Sequence, residues 1–281
     1  MPIGSIAIVA ITLVAVTGVT NPKPSIAIKD ALSAFSNKLI WLIGIAVMVS
    51  RGLVKSGLGN RIGYYFISLF GKKTIGIGYS LAISELIIAP FTPSNTARSG
   101  GIIHPIMKSI ASSFDSKPED GTSKKIGHYL ALTNYHINPI TSAMFITATA
   151  PNPLVVELVA QATGAEISIS WGMWALAALV PGLICIALVP LVVYMFYPPE
   201  IKSTPSATEF ANSKLAEMGK MNSAEKIVIG VFVGLLVLWA GIPAMILGKA
   251  FSFNSTAVAF AGLSVLLITK VLTWKDIVEE K

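Results

Sequence analysis

The sequence predicts an all-α integral membrane protein containing a hairpin that enters and leaves the bilayer on one side and a second, broken helix. Three observations predict it. Of 281 residues, 53% are hydrophobic and only 12% charged, with mean hydropathy +0.72, whereas soluble domains carry roughly 25% charged residues. Several apolar runs reach the roughly 20 residues that a bilayer-crossing helix needs. One of them is interrupted by Pro90-Phe-Thr-Pro-Ser-Asn-Thr-Ala-Arg-Ser-Gly-Gly101. A helix in lipid satisfies its own backbone, but a proline-broken one does not, and the freed groups are tolerated only where they line a cavity or meet a ligand. The interruption therefore points to a polar binding site at membrane depth.

In chain order, crossings are expected over residues 3–20, 38–57, 125–163, 171–197, 226–247 and 250–272, each a long apolar run. The segment 60–70, with Tyr64, Tyr65, Phe66 and Leu69, is too short to cross and reads as an amphipathic helix along the interface. Residues 125–163 are too many for one straight crossing and are interrupted at Pro139, Pro151 and Pro153. Trp171 and Trp174 at one end of the next crossing, and Tyr194, Phe196 and Tyr197 at the other, read as interfacial belts. Ser206-x-x-Glu209 and Asn222-x-x-Glu225 have capping-box spacing, which marks helix starts inside the 198–225 loop.

Lysines orient these elements. Lys72 and Lys73 precede residues 74–107, and Lys108, Lys117, Lys124 and Lys125 follow or close that segment. A single crossing would put the two groups on opposite faces, whereas a re-entrant hairpin puts both on one face, cytoplasmic by the positive-inside rule. Lys202, Lys214 and Lys220 in the 198–225 loop, and Lys270, Lys275 and Lys281 in the tail, fall on that face too. Lys23 and Lys29 fall on the other and disagree. The formal charge of +7 is thus spread over short loops, which fits lipid headgroups and excludes a nucleic-acid surface.

At the first break Ser94, Asn95 and Thr96 follow Pro93, where one half-helix ends and another begins. A helix start presents unpaired amides and partial positive charge to an anion such as a carboxylate. The same side-chain oxygens could instead coordinate a small cation. Gly100 and Gly101 would allow close backbone approach or tight helix packing. Arg98 lies four residues after Ser94 and either binds a carboxylate or neutralises Glu85 on the opposite arm. A second break, Thr147-Ala-Thr-Ala-Pro-Asn-Pro153, repeats the pattern of small residues before prolines, and paired breaks are how discontinuous helices surround a substrate and its coupling ion. Asn134, Asn138, Thr141 and Ser142 form a polar stripe on the helix before it, read as interhelical hydrogen bonding. No nucleophile elbow, P-loop or metal-binding spacing is present, and Cys185 sits among Ile and Leu, so the chain is not read as an enzyme and no transition metal or cofactor is expected.

The stretch from Ala89 to Gly101 resembles the first signature of the divalent anion:sodium symporter family, nearest the branch holding citrate/succinate antiporters and 2-oxoglutarate/malate translocators. Ser56–Ile62, Phe145–Asn152 and Trp274–Ile277 match in register. The resemblance implies the first inverted repeat of an elevator-type transporter, with residues 1–73 as scaffold-type helices and the interfacial helix. Residues 74–197 would form the transport-type region, made of a re-entrant hairpin (74–107), a broken helix (125–163) and a following helix (171–197). Residues 198–225 would be a cytoplasmic linker, and 226–281 the start of a second repeat that is otherwise missing. The implied substrate is a di- or tricarboxylate held by Ser94, Asn95, Thr96 and Arg98, moved by exchange or with sodium. A sodium ion would be held by Ser94, Asn95, Thr147, Ala148, Thr149, Pro151 and Asn152. The resemblance further implies a homodimer in a bacterial inner membrane. The absent second signature, and a start that matches the family's interior, make the chain read as truncated at both ends. The alternatives are an inactive fragment, a scaffold subunit needing a complementary half, or an arsenite or sodium/proton-type transporter.

Overall fold

A computed structural model describes residues 2–278, and every regular element among them is helical. Lys281, counted above in the basic tail, lies outside the described residues. Helices α1 (Ile3–Thr17) and α2 (Pro24–Ala31) lead into α3 (Lys38–Ser56). Asn37 caps α3 by accepting from the Leu39 amide at 2.8 Å, and Gly57, at φ 80°, ends it in the left-handed conformation that glycine adopts without steric cost. Helix α4 (Leu58–Phe70) turns at residues 71–73 into α5 (Thr74–Ile88).

After α5 the chain breaks, then resumes as a π-helical stretch, Thr96–Ile103, that runs into α6 (His104–Ser113). This second arm lies against α4. A Cβ placed on Gly59 would come within 2.8 Å of Ile102, and one on Gly63 within 2.5 Å of Ile106. Contacts that advance together (59 with 102, 63 with 106) make α6 parallel to α4 and therefore antiparallel to α5. Lipid supplies no hydrophobic drive between helices, so small residues that let backbones approach hold such a seam. The glycines used are Gly59 and Gly63, not Gly100 and Gly101. A Cβ on Gly101 would meet nothing within 4 Å, and one on Gly100 only its own turn's Thr96.

Helix α7 (Gly127–Met144) runs parallel to α5, with Gly78 beside Tyr129 and Glu85 beside Asn138. It is followed by α8 (Pro151–Ala162) and α9 (Trp171–Phe196). Helix α9 returns antiparallel along α7, where Tyr129 donates to the Pro190 carbonyl at 3.2 Å and Trp174 to the Ala143 carbonyl at 2.8 Å. Helix α10 (Pro205–Met218) lies antiparallel on α4, with Tyr64 against Phe210 and Gly57 against Met218. It does not begin at the expected Ser206 box. Pro205 takes the first helical position, and Thr204, ahead of it, donates instead to the Gly71 carbonyl at 2.7 Å. The Asn222/Glu225 box does form and opens α11 (Ser223–Trp239).

Gly241, at φ 73°, cuts the expected 226–247 crossing into α11 and the short α12 (Ile242–Leu247). Helices α13 (Ser255–Ile268) and α14 (Trp274–Val278) follow. Ile45, Val49 and Leu53 of α3, Val228 and Leu235 of α11, and Leu263 and Leu266 of α13 share one buried cluster. Among the described residues three helices are long and apolar enough to cross a membrane, Lys38–Ser56, Thr74–Phe91 and Trp171–Phe196, while Gly4–Thr17 and Ser255–Ile268 are apolar but shorter. Of the six expected crossings, one of them broken, 38–57 and 171–197 form helices that meet this measure. Gly18 (φ 62°) ends α1 and Gly241 (φ 73°) separates α11 from α12, while the polar stripe lowers the hydropathy of α7.

The basic turns gather at one end. Thr204 donates its amide to the Lys72 carbonyl at 2.9 Å and Thr74 its amide to Lys202 at 3.1 Å. Glu200 and Ile201 donate to the carbonyls of Lys124 and Lys125 at 3.0 and 3.1 Å. One loop, residues 198–204, thus binds both the turn before the hairpin and the turn before α7.

Candidate functional site

The two breaks meet. Helix α5 passes through a 3₁₀ turn at Ala89–Phe91 into an extended Thr92 (φ −125°, ψ 96°). Helix α7 stops at Met144, after which Phe145 and Thr149 are extended on either side of a 3₁₀ turn, Ile146–Ala148. Pro90, lacking an amide hydrogen, fixes the first stop, and Pro151 takes the first position of α8 after the second. Thr147 donates across the junction to the Pro90 carbonyl at 2.6 Å and accepts from Trp171 at 3.1 Å. Asn152 reaches back to cap the end of α7, its Nδ2 donating to the carbonyls of Ser142 and Phe145 at 2.8 and 2.9 Å. Phe91 stacks on Phe232 of α11 with ring centroids 4.2 Å apart.

Behind the junction, Arg98 is 0% exposed and each of its nitrogens has a partner. Nε faces Glu85 Oε1 at 3.3 Å, Nη1 donates to the Thr92 and Ala148 carbonyls, both at 2.9 Å, and Nη2 donates to Ser142 Oγ at 2.5 Å. The guanidinium thereby ties both breaks to α5 and α7. Glu85, also 0% exposed, accepts from Asn138 at 2.5 Å and Thr141 at 3.3 Å through the same Oε1. Ser142 lies 2.7 Å from Asn95 Oδ1, and Asn134 donates to Ser99 at 3.0 Å. Each member of the polar stripe therefore reaches the hairpin. In a low-dielectric interior such a network is worth keeping only when its charges are paired.

In front of the junction the motif is open. Ser94 and Asn95 are half-buried, and Thr96 is exposed. Ser94 acts as helix cap, its Oγ taking the Ala97 amide at 3.2 Å and its carbonyl the Arg98 amide at 3.0 Å. Of the expected cation ligands, Ala148 has its carbonyl on Arg98 and Thr147 has its hydroxyl on Pro90, whereas Thr149 is half-buried with no side-chain partner among the described residues and Pro151 is exposed at the start of α8. The structure thus places Ser94, Asn95, Thr96, Thr147, Ala148, Thr149, Pro151 and Asn152 around one junction, with Arg98 inside it rather than on its open face. Asn138, Thr141 and Ser142 belong to the same assembly. Their spacing showed the shared face, but not that the hairpin would be what it met.

The family described as sodium:sulfate symporter transmembrane region matches residues 1–281. The candidate malate transporter YflS of Bacillus subtilis (strain 168) is 48% identical over 281 residues, covering 100% of this chain and 56% of its own length. Dicarboxylate transporter 1, chloroplastic, of Spinacia oleracea is 41% identical over 280 residues, covering 100% of this chain and 47% of its own. The L-tartrate/succinate antiporter of Escherichia coli (strain K12) is 39% identical over 251 residues, covering 89% of this chain and 50% of its own. The chain spans about half the length of these curated relatives. The family and these relatives are transporters, not enzymes. The chain is an integral membrane protein and belongs, along its whole length, to the sodium:sulfate symporter family.

Proposed function

We propose that this chain carries one carboxylate-binding half of a secondary transporter for di- or tricarboxylates such as malate, 2-oxoglutarate, succinate or citrate. The observation that carries it is the meeting of two proline-broken helices at which Ser94 and Asn95 are half-buried and Thr96 is exposed, while the charge behind them is already neutralised. The amides at the start of the π-helical stretch and the Thr96 hydroxyl would take one carboxylate, which suits the positive end of a helix. The names of the relatives support this substrate class.

Exchange is the reading the junction favours over sodium coupling. The Arg98 guanidinium already bonds to two carbonyls, a hydroxyl and a carboxylate, the oxygen set that unwound transporter helices offer a hard cation. A tethered positive charge in that place leaves a free ion less to neutralise. In the elevator reading, the hairpin with α7, α8 and α9 moves against α3, α11 and α13 in a homodimer of the bacterial inner membrane. Both ends of the hairpin then lie on the cytoplasmic side, which the 198–204 loop supports by binding the turns at 72–74 and 124–125.

The test is counterflow of labelled malate by the whole transporter in proteoliposomes. The expected result is exchange that no sodium gradient stimulates and that Asn95→Ala abolishes while membrane insertion is unchanged. Undiminished counterflow by Asn95→Ala would remove the tip from the site, and sodium-driven uptake would reverse the choice of mechanism.

A further inference from the structure

Far from the two breaks, where α4 turns into α5, lies an open groove of about 490 Å³. It is lined by Leu69 and Phe70 of α4, by Tyr79 and Ile83 of α5, and by Lys72 and Lys73 of the turn between them. Leu69 and Phe70 are 50% and 48% exposed, an apolar surface with no protein over it. The Tyr79 hydroxyl is already spent on the Ala187 carbonyl at 2.6 Å, so the ring contributes an apolar wall. Both lysines are exposed, and neither ammonium has a partner among the described residues.

The lysines are held there by backbone. The hydrogen bonds from residues 198–204 to Lys72, Thr74, Lys124 and Lys125 draw Lys72, Lys73, Lys124, Lys125 and Lys202 to one end of the molecule, and Glu200 is the acidic residue on those tied segments. Like charges fixed together repel, unless an anion lies among them. An apolar trough leading away from a cationic mouth matches the outline of an amphiphile whose headgroup is negative, and basic pockets between membrane helices on the cytoplasmic side are where anionic headgroups bind.

We propose that this groove binds an anionic phospholipid, with its phosphate between Lys72 and Lys73 and an acyl chain along Leu69, Phe70, Tyr79 and Ile83. Inorganic phosphate would use the lysines but gain nothing from the trough, and a neutral lipid would use the trough but not the lysines. The site owes nothing to the transport reading and stands whether or not that reading holds.

The chain is titrated in detergent with dioleoylphosphatidylglycerol, dioleoylphosphatidylcholine or inorganic phosphate, and bound lipid is counted by native mass spectrometry. Phosphatidylglycerol is expected to be retained, and K72Q/K73Q to weaken its retention about 30-fold, while Lys249→Gln, on another turn, leaves it unchanged. In the unaltered chain, raising the salt concentration must also weaken retention, because the mouth is exposed to solvent. Equal retention of phosphatidylcholine, retention of inorganic phosphate as tight as that of phosphatidylglycerol, indifference to salt, or indifference to the double substitution would each overturn the proposal. The last of these would leave the groove to be covered by protein instead.

Discussion

Arg98 and Thr96 sit two residues apart on one π-helical turn, yet their environments are opposite. Arg98 is 0% exposed and bonded through every nitrogen to α5, α7 or a broken junction. Thr96 is exposed, and its hydroxyl has no partner among the described residues. Asn95 lies between these extremes, half-buried, with Oδ1 2.7 Å from Ser142 Oγ. A single polar interruption therefore supplies two sets of groups. One set holds the break together, because a bare charge or carbonyl in a low-dielectric interior is costly. The other is free to meet a ligand because the first set has already met those needs.

Stability separates the two sets. Arg98→Ala should have the largest effect, about 3–5 kcal/mol, because it leaves Glu85 as a buried carboxylate without its countercharge. Thermal unfolding in detergent would show it, and replacing Glu85 and Arg98 together by Leu should cost less than the single change. A double substitution as damaging as the single one would mean that the pair does more than cancel charge. Asn138→Ala removes the 2.5 Å donor to Glu85 and should cost about 1.5–3 kcal/mol, as for a hydrogen bond to a charged group. Asn95→Ala should cost only about 1 kcal/mol, read by the same unfolding measurement, while abolishing counterflow. Thr96→Ala sharpens the contrast most. Its stability should stay within about 0.5 kcal/mol of the parent, yet its malate affinity, measured by calorimetry on the whole transporter, should fall. A Thr96→Ala protein that unfolds early would show that the open tip is structural after all.

Much of this division was legible from residue types. Pro90, Pro93, Pro151 and Pro153 mark both breaks, but proline alone does not make one: the interruption expected at Pro139 does not occur, since α7 runs through it, as α9 runs through Pro181 and Pro190. The stripe of Asn134, Asn138, Thr141 and Ser142 announces a polar seam by helical spacing alone. What spacing does not carry is the partner. Arg98 reaches Ala148, a carbonyl of the other break, and nothing local to either residue distinguishes that contact from a ligand. The two readings of Arg98, carboxylate ligand or partner of Glu85, separate only once α5, α7 and the hairpin are packed together. Tertiary context also moved the start of α10, where Thr204 is claimed by Gly71, leaving Pro205 to open the helix ahead of the Ser206 box. It likewise reassigned the close-packing glycines from Gly100 and Gly101 to Gly59 and Gly63, since only a neighbouring helix decides which small residue is crowded.

All of this depends on the hairpin turning back inside the bilayer, and Thr74–Phe91 is long and apolar enough to cross alone. The deciding measurement is cysteine accessibility in a Cys185→Ala background, with Lys73→Cys and Lys124→Cys introduced singly and probed with an impermeant thiol reagent in oriented vesicles. The 198–204 loop that binds both turns predicts labelling of both positions from the same face. Labelling from opposite faces would mean that the chain passes straight through, and that Ser94, Asn95 and Thr96 do not sit at the tip of a hairpin.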